Sequence, residues 1–171
     1  PYNNLDDRFM MIFYYHGRIF GDSNVALDMR QGRKDSPEFH PDGSNSGYYL
    51  AKFVSKNSVL LNPIKKANSV HYNPLLRKSE VFLNYAEAAN EAWGPYGKGS
   101  ETGLSAYDVI KMVRQKSGGI TDVTYLDQMA ASKDDFRKLI QNERRLEFAF
   151  EDHRYFDLKR WRIAHEVWDG N

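Results

Sequence analysis

The stretch Asn142-Glu143-Arg144-Arg145-Leu146-Glu147-Phe148-Ala149-Phe150-Glu151-Asp152-His153-Arg154-Tyr155-Phe156-Asp157-Leu158-Lys159-Arg160-Trp161 carries the densest set of chemically capable side chains in the sequence. Glu143 and Glu147 are one helical turn apart, so both carboxylates can share a face. Such a pair is the working unit of glycoside hydrolysis, in which one carboxyl must hold its proton as the general acid. Arg144, Arg145, Arg154 and Arg160 crowd the same segment. A guanidinium beside a carboxylate favours the charged form and lowers its pKa, the wrong direction for a proton donor. The pattern therefore reads as bidentate ion pairing that sets how a helix end packs. Glu143, Arg144, Arg145, Glu147, Arg154, Asp157, Arg160 and Trp161 are its structural residues, and none is assigned a catalytic role.

Other chemistries have less to stand on. His153 with Glu151 or Asp157 lacks both the i,i+4 histidine pair and the compact oxygen-rich loop that metals require, and His16, His40, His71 and His165 are isolated. The absence of cysteine removes disulfides, thiolate ligands and cysteine nucleophiles. Neither a Gly-x-Ser-x-Gly elbow nor a phosphate-binding or dinucleotide-binding glycine loop occurs, so no cofactor is expected. A formal net charge of +1 gives no electrostatic case for nucleic acid.

Recognition remains. Aromatic residues make up 14% of the chain, with eleven Tyr and three Trp, a surplus suited to gripping the C–H faces of sugars. The candidate ligand-binding residues lie where the chain is irregular: Tyr14, Tyr15 and His16 at the end of a β-prone run, Arg30, Arg33 and His40 in a long loop, and Trp93 and Tyr96 at a turn between helices. Core packing is the competing explanation for each.

These residues are carried by two stretches of different texture. Residues 1–74 are rich in Gly, Pro, Asn, Asp and Ser, and read as loops with two short strands, over residues 9–15 and 48–54. Residues 75–165 are helical. A helix is predicted over Leu75–Trp93, with Leu75, Phe82, Tyr85, Ala86, Ala89 and Trp93 on one face and Gly94-Pro95 as its stop. A second is predicted over Gly103–Ser117, with Leu104, Tyr107, Ile110, Met112 and Val113 inward. A third, Lys133–Phe150, buries Phe136, Leu139, Ile140, Leu146 and Phe150. The first two form a hairpin, residues 75–118, with alanines at the crossing in the manner of a tetratricopeptide repeat. Such units bury their faces against neighbours, so a lone one is expected to be part of something larger. The fold class is thus mainly α: a tetratricopeptide-like hairpin plus a further helix, with an irregular N-terminal half containing short strands.

Several segments, in order, resemble the SusD/RagB family. Asn142–Trp161 is similar to its signature N-E-R-R-x-E-L-A-F-E-G-x-R-[WYF]-F-D-L-R-R-W, with Asp152 where the family has Gly and Lys159 where it has Arg. Leu76–Ala88 resembles its R-x-x-E-x-x-L-x-x-A-E-A helix, and Ala106–Gly118 its A-x-x-x-I-x-x-V-R-x-R-A-G helix. Gly47–Phe53 resembles its G-Y-x-x-x-K strand, and Asp6-Asp7-Arg8-Phe9 its D-P-R-[FL], with Asp7 in place of Pro. The resemblance implies a partial SusD/RagB-like domain over 1–171 without either end of the family's longer chains. It also implies a non-catalytic nutrient-binding lipoprotein of the bacterial outer membrane, anchored by an N-terminal lipid outside this chain. Such a protein takes up oligosaccharides, or in some relatives peptides, and delivers them to a TonB-dependent SusC-like transporter. The alternative from the hairpin alone is a tetratricopeptide scaffold that binds protein or peptide partners.

Overall fold

A computed structural model describes residues 2, 4–20, 25–36, 38–39, 44–55 and 74–168. The chain divides into two compact units: Pro1–Arg8 with Leu76–Asn171, and Phe9–Leu75. The fold is mainly helical, as the sequence predicts.

The first unit is built on α2 (Lys78–Trp93), α3 (Ala106–Gly118) and α5 (Lys133–Glu147), with α2 packed against both others. Its core is Leu83, Ala86 and Ala89 of α2, Ala106, Val109, Ile110 and Val113 of α3, and Phe136, Leu139 and Ile140 of α5. The small side chains at Ala86, Ala89 and Ala106, all 0–1% exposed, let the backbones of the hairpin approach closely. Each fully buried large side chain in this set contributes about 1.5–3 kcal/mol of burial.

The sequence stripe on α2 needs correcting. Leu75 precedes the helix and is 91% exposed, and Trp93 stands half-exposed at its C-terminal end. The predicted Ala86 and Ala89 are buried, Leu83 joins them in the core, and Phe82 and Tyr85 pack partly buried against it. On α3, Leu104 lies before the helix and is exposed, while Val109 is buried. That helix starts at Ser105, whose hydroxyl accepts from the Asp108 N–H while the Asp108 carboxylate receives the Ser105 N–H. This capping box satisfies two otherwise orphaned donors. Gly119, in the left-handed region at φ 65°, ends α3.

Helix α5 ends at Glu147, three residues earlier than predicted. Leu146 and Phe150 face solvent, with Phe150 at a left-handed φ of 63°, and Phe148 is buried instead. The physical reason lies in the inward line itself: beyond Ile140 its positions are Glu143, Arg144 and Glu147, so the stripe continues as ions where an apolar pattern predicts Leu and Phe. Within the segment expected to be helical, α4 (Thr124–Met129) and α6 (His153–Trp161) were not predicted as separate helices, and α7 (Ala164–Trp168) runs beyond its end.

The second unit has little regular structure. The run predicted as a strand from residue 9 belongs to α1 (Asp7–Ile12), which crosses the boundary between units, followed by β1 (Phe13–Tyr14). β1 pairs antiparallel with β2 (Tyr49–Leu50), Phe13 opposite Leu50 and Tyr14 opposite Tyr49. Tyr14, Met29 and Ala51 form a small core, and Phe9 contacts Phe13, Tyr15 and Tyr48 with ring centroids 5.3–5.7 Å apart.

Candidate functional site

The two glutamates that could have formed a catalytic pair are both buried among arginines. Glu143, 0% exposed, accepts 2.9 Å from Arg8 Nη2 and 2.5 Å from Arg114 Nη1. Arg8 is oriented by Asp6, which receives its backbone N–H and its guanidinium. Glu147 accepts 2.7 Å from Arg77 Nη1, and its carbonyl accepts 2.6 Å from Arg77 Nη2. Arg77 also donates twice to Glu151, and its guanidinium lies over the Phe148 ring. Burial alone would raise the Glu147 carboxyl, but the hydrogen bonds from Arg77 and Ser79 and the charges of Arg77 and Arg8 outweigh it and hold the group below its ordinary value. Asp6 behaves the same way, burial opposing and Arg8 winning. Glu147 and Asp6 are thereby held in the ionised form, the wrong state for a general acid.

A second ionic group joins α5 to α6. Arg144 donates to Asp157 at 3.1 and 3.2 Å and to Asn84 at 2.7 Å. Arg160 bridges Asp157 and Glu87, and the Trp161 indole N–H donates 2.9 Å to Glu87. Of the eight signature residues, Arg145 and Arg154 stand outside: Arg145 is exposed, and the Arg154 guanidinium is disfavoured by partial burial and then by the charge of Arg145. Glu80, Asn84 and Glu87 of α2 face His153, Phe156 and Arg160 of α6 across an open cleft of about 520 Å³, floored by Arg144 and Asp157. Its polar walls are mostly paired to one another. Among the described residues no group of three or more His, Cys, Asp or Glu could hold a metal ion, and no helix is long and apolar enough to cross a membrane.

The candidate binding residues fall into both units. Trp93 ends α2 and Tyr96 lies in the connection to α3, 52% and 57% exposed. Tyr96 lies against Tyr107, ring centroids 5.1 Å apart; the Tyr107 hydroxyl donates 2.5 Å to Asp127, which with burial pushes its pKa up to about 12. In the other unit Tyr14 is a core residue, 3% exposed, with Arg18 over its ring. Tyr15 is half-buried and its hydroxyl meets the Met10 sulfur. His16, Arg30 and Arg33 converge on one carboxylate that sequence reasoning missed, Asp28. Arg30 holds it with two hydrogen bonds, keeping it well below the usual carboxylate range; His16 Nδ1 is 3.6 Å away and Arg33 Nε 4.0 Å. His40 lies outside the described residues.

Compared with known families, the whole chain, residues 1–171, matches the model described as the SusD family. The chain belongs to the SusD family. No curated protein and no solved structure gives a significant match. SusD proteins are nutrient-binding proteins of the outer membrane and typically surface-associated. Four of the five family motifs recognised in the sequence supply the buried ion pairs, which fall into one group around Glu143 and Glu147 and a second around Asp157. Arg8 comes from the D-P-R-like segment, Arg77 from the start of the α2 motif, Arg114 from the α3 motif, and Glu143, Arg144, Glu147 and Asp157 from the terminal signature. Sequence reading singled out these SusD segments but not the partners of the glutamates, because ion pairs 29 to 135 residues apart leave no periodic trace. The departure at Asp152 also acquires a meaning. Its φ of 61° is left-handed, the conformation for which the glycine of the family signature is suited.

Proposed function

We infer that this SusD-family chain captures oligosaccharides at the bacterial cell surface without covalent chemistry. It hands them to a TonB-dependent SusC-like transporter, the whole protein being held at the outer membrane by a lipid on its N-terminal region. The observation that carries the reading is electrostatic. Four of the five carboxylates of the terminal signature, Glu143, Glu147, Glu151 and Asp157, accept from at least one arginine, whereas Trp93 and Tyr96 present half-exposed rings. Stacking rings flanked by polar groups recognise sugars; neutralised acids do not cleave them. The whole protein, expressed with its native membrane, is expected to copurify with a barrel transporter and to bind at least one oligosaccharide saturably by calorimetry. Lack of both would overturn the reading.

A peptide-binding scaffold is the second reading, favoured by the alanine-lined α2–α3 hairpin. It predicts saturable binding of extended peptides and none of glycans in the same experiment.

A further inference from the structure

The connection between α2 and α3, residues 94–105, is long for a helical hairpin yet thoroughly braced. Gly94 N–H donates to the Asn90 carbonyl at 2.9 Å, Tyr107 N–H to the Pro95 carbonyl at 2.9 Å, and Gly103 N–H to the Gly99 carbonyl at 3.3 Å. Lys98 and Ser105 form an isolated antiparallel bridge. From α2, the Tyr85 hydroxyl donates 2.7 Å to the Leu104 carbonyl and lies 2.6 Å from the Thr102 hydroxyl. A surface loop fixed by so many bonds is organised before any ligand arrives, which removes the ordering cost of binding.

What the loop holds is Trp93. The position a β-carbon would take on Gly99 is 2.9 Å from Trp93 Cη2 and 3.1 Å from Cζ3, so the six-membered ring of the indole rests where no larger residue leaves room. At Gly97 the corresponding position is 2.3 Å from Trp93 Cβ, again closed to a side chain. Neither glycine adopts a left-handed φ, so their smallness serves the tryptophan and not a turn. Trp93 nevertheless remains 52% exposed. Lys98 and Glu101 are the charged residues of the connection. Their charges cancel and Lys98 pairs with Asp108 at 3.2 Å, so residues 94–105 offer a sugar acid no net positive charge.

We propose that Trp93, seated against Gly97 and Gly99, is a stacking platform for a neutral pyranose ring, and that Gly99 is the positioning residue that sets the orientation of the indole. The proposal rests on the oligosaccharide-binding reading above and locates it on this loop. Gly99→Ala collides with the far end of a side chain that can swing, not with backbone, so the variant keeps its fold while the indole turns away. Gly97→Ala meets the Trp93 carbonyl and has no such escape.

The experiment labels the tryptophans of the whole protein with 5-fluorotryptophan, assigns the Trp93 fluorine signal with Trp93→Phe, and titrates in neutral glucan, xylan and mannan hexasaccharides alongside an oligogalacturonate. The expected result is a saturable shift of the Trp93 signal with at least one neutral hexasaccharide and none with the uronate. In Gly99→Ala the signal is displaced before ligand is added, thermal unfolding stays cooperative, and affinity falls at least tenfold. Calorimetric binding of a hexasaccharide that leaves the Trp93 signal still, or that Gly99→Ala and Trp93→Ala preserve, would overturn the platform while the family reading stands. Absence of calorimetric binding by any hexasaccharide would overturn both.

Discussion

At the residue scale, Glu143 is the clearest case of a side chain whose type suggests one role and whose surroundings dictate another. It is fully buried between Arg8 and Arg114, which are themselves nearly buried. Two charges so placed are tolerated because each satisfies the other, and removing one strands its partners in a low-dielectric site. Glu143→Ala should therefore lower stability by about 3–5 kcal/mol, read as a shift in the urea midpoint. Breaking the exposed Arg137–Glu91 pair with Glu91→Ala should move it by less than about 1 kcal/mol. Equal effects would show that burial is not what makes the inner pair matter. Asp152 tests the opposite sign. A non-glycine residue at left-handed φ costs roughly 1–2 kcal/mol, so Asp152→Gly should raise the midpoint by an amount in that range, less the entropy glycine loses on folding. A lower midpoint would mean the Asp152 side chain contributes more than its backbone costs.

At the element scale, the ionic residues join α2, α3, α5 and α6 as apolar side chains usually would. Arg77 lies just before α2, Arg114 on α3, Glu143 and Glu147 on α5, and Asp157 on α6. That arrangement has a pH signature. The carboxyls of Glu147 and Asp6 sit below their ordinary values of 4.5 and 3.8 in the folded protein, so on acidification the unfolded chain takes up protons first. Their contribution is full above about pH 4.5 and is lost as pH falls through the folded values. Chemical unfolding should show a flat midpoint from pH 7 to 5 and a decline below 4.5, with Arg77→Met shallowing the decline. A midpoint unchanged at pH 3 would contradict this. The same ions explain which elements were legible in the sequence. The α2–α3 hairpin was, because Ala86, Ala89, Ile110 and Val113 follow a helical period. The end of α5 was not, since from Glu143 onward charged residues fill the inward positions and a hydrophobic pattern sees a surface. In the other unit, the β-branched and aromatic run after Phe9 looked like strand, yet local α1 geometry won and only Phe13 and Tyr14 pair with β2.

At the scale of the whole molecule, the signature motifs that identify the SusD family are framework. Arg8, Arg77, Arg114, Glu143, Arg144, Glu147 and Asp157 assemble a charged interior from distant parts of the chain. Rings are offered to solvent both within the signature, at Phe150, Tyr155 and Phe156, and outside the motifs, at Trp93 and Tyr96. Family membership was therefore readable from residue order, and helical content from periodicity. The location of the binding surface depended on exposure, which no single sequence displays: Tyr14 and Trp93 look alike as candidates, and one is core while the other is half open. The central claim is that the acidic residues hold the fold and leave bound sugar intact. Its most direct measurement is mass spectrometry of an oligosaccharide recovered after prolonged saturation of the whole protein. The account predicts recovery at unchanged chain length and no new reducing ends. Steady shortening of the oligosaccharide that disappears in Glu143→Gln or Glu147→Gln would contradict it.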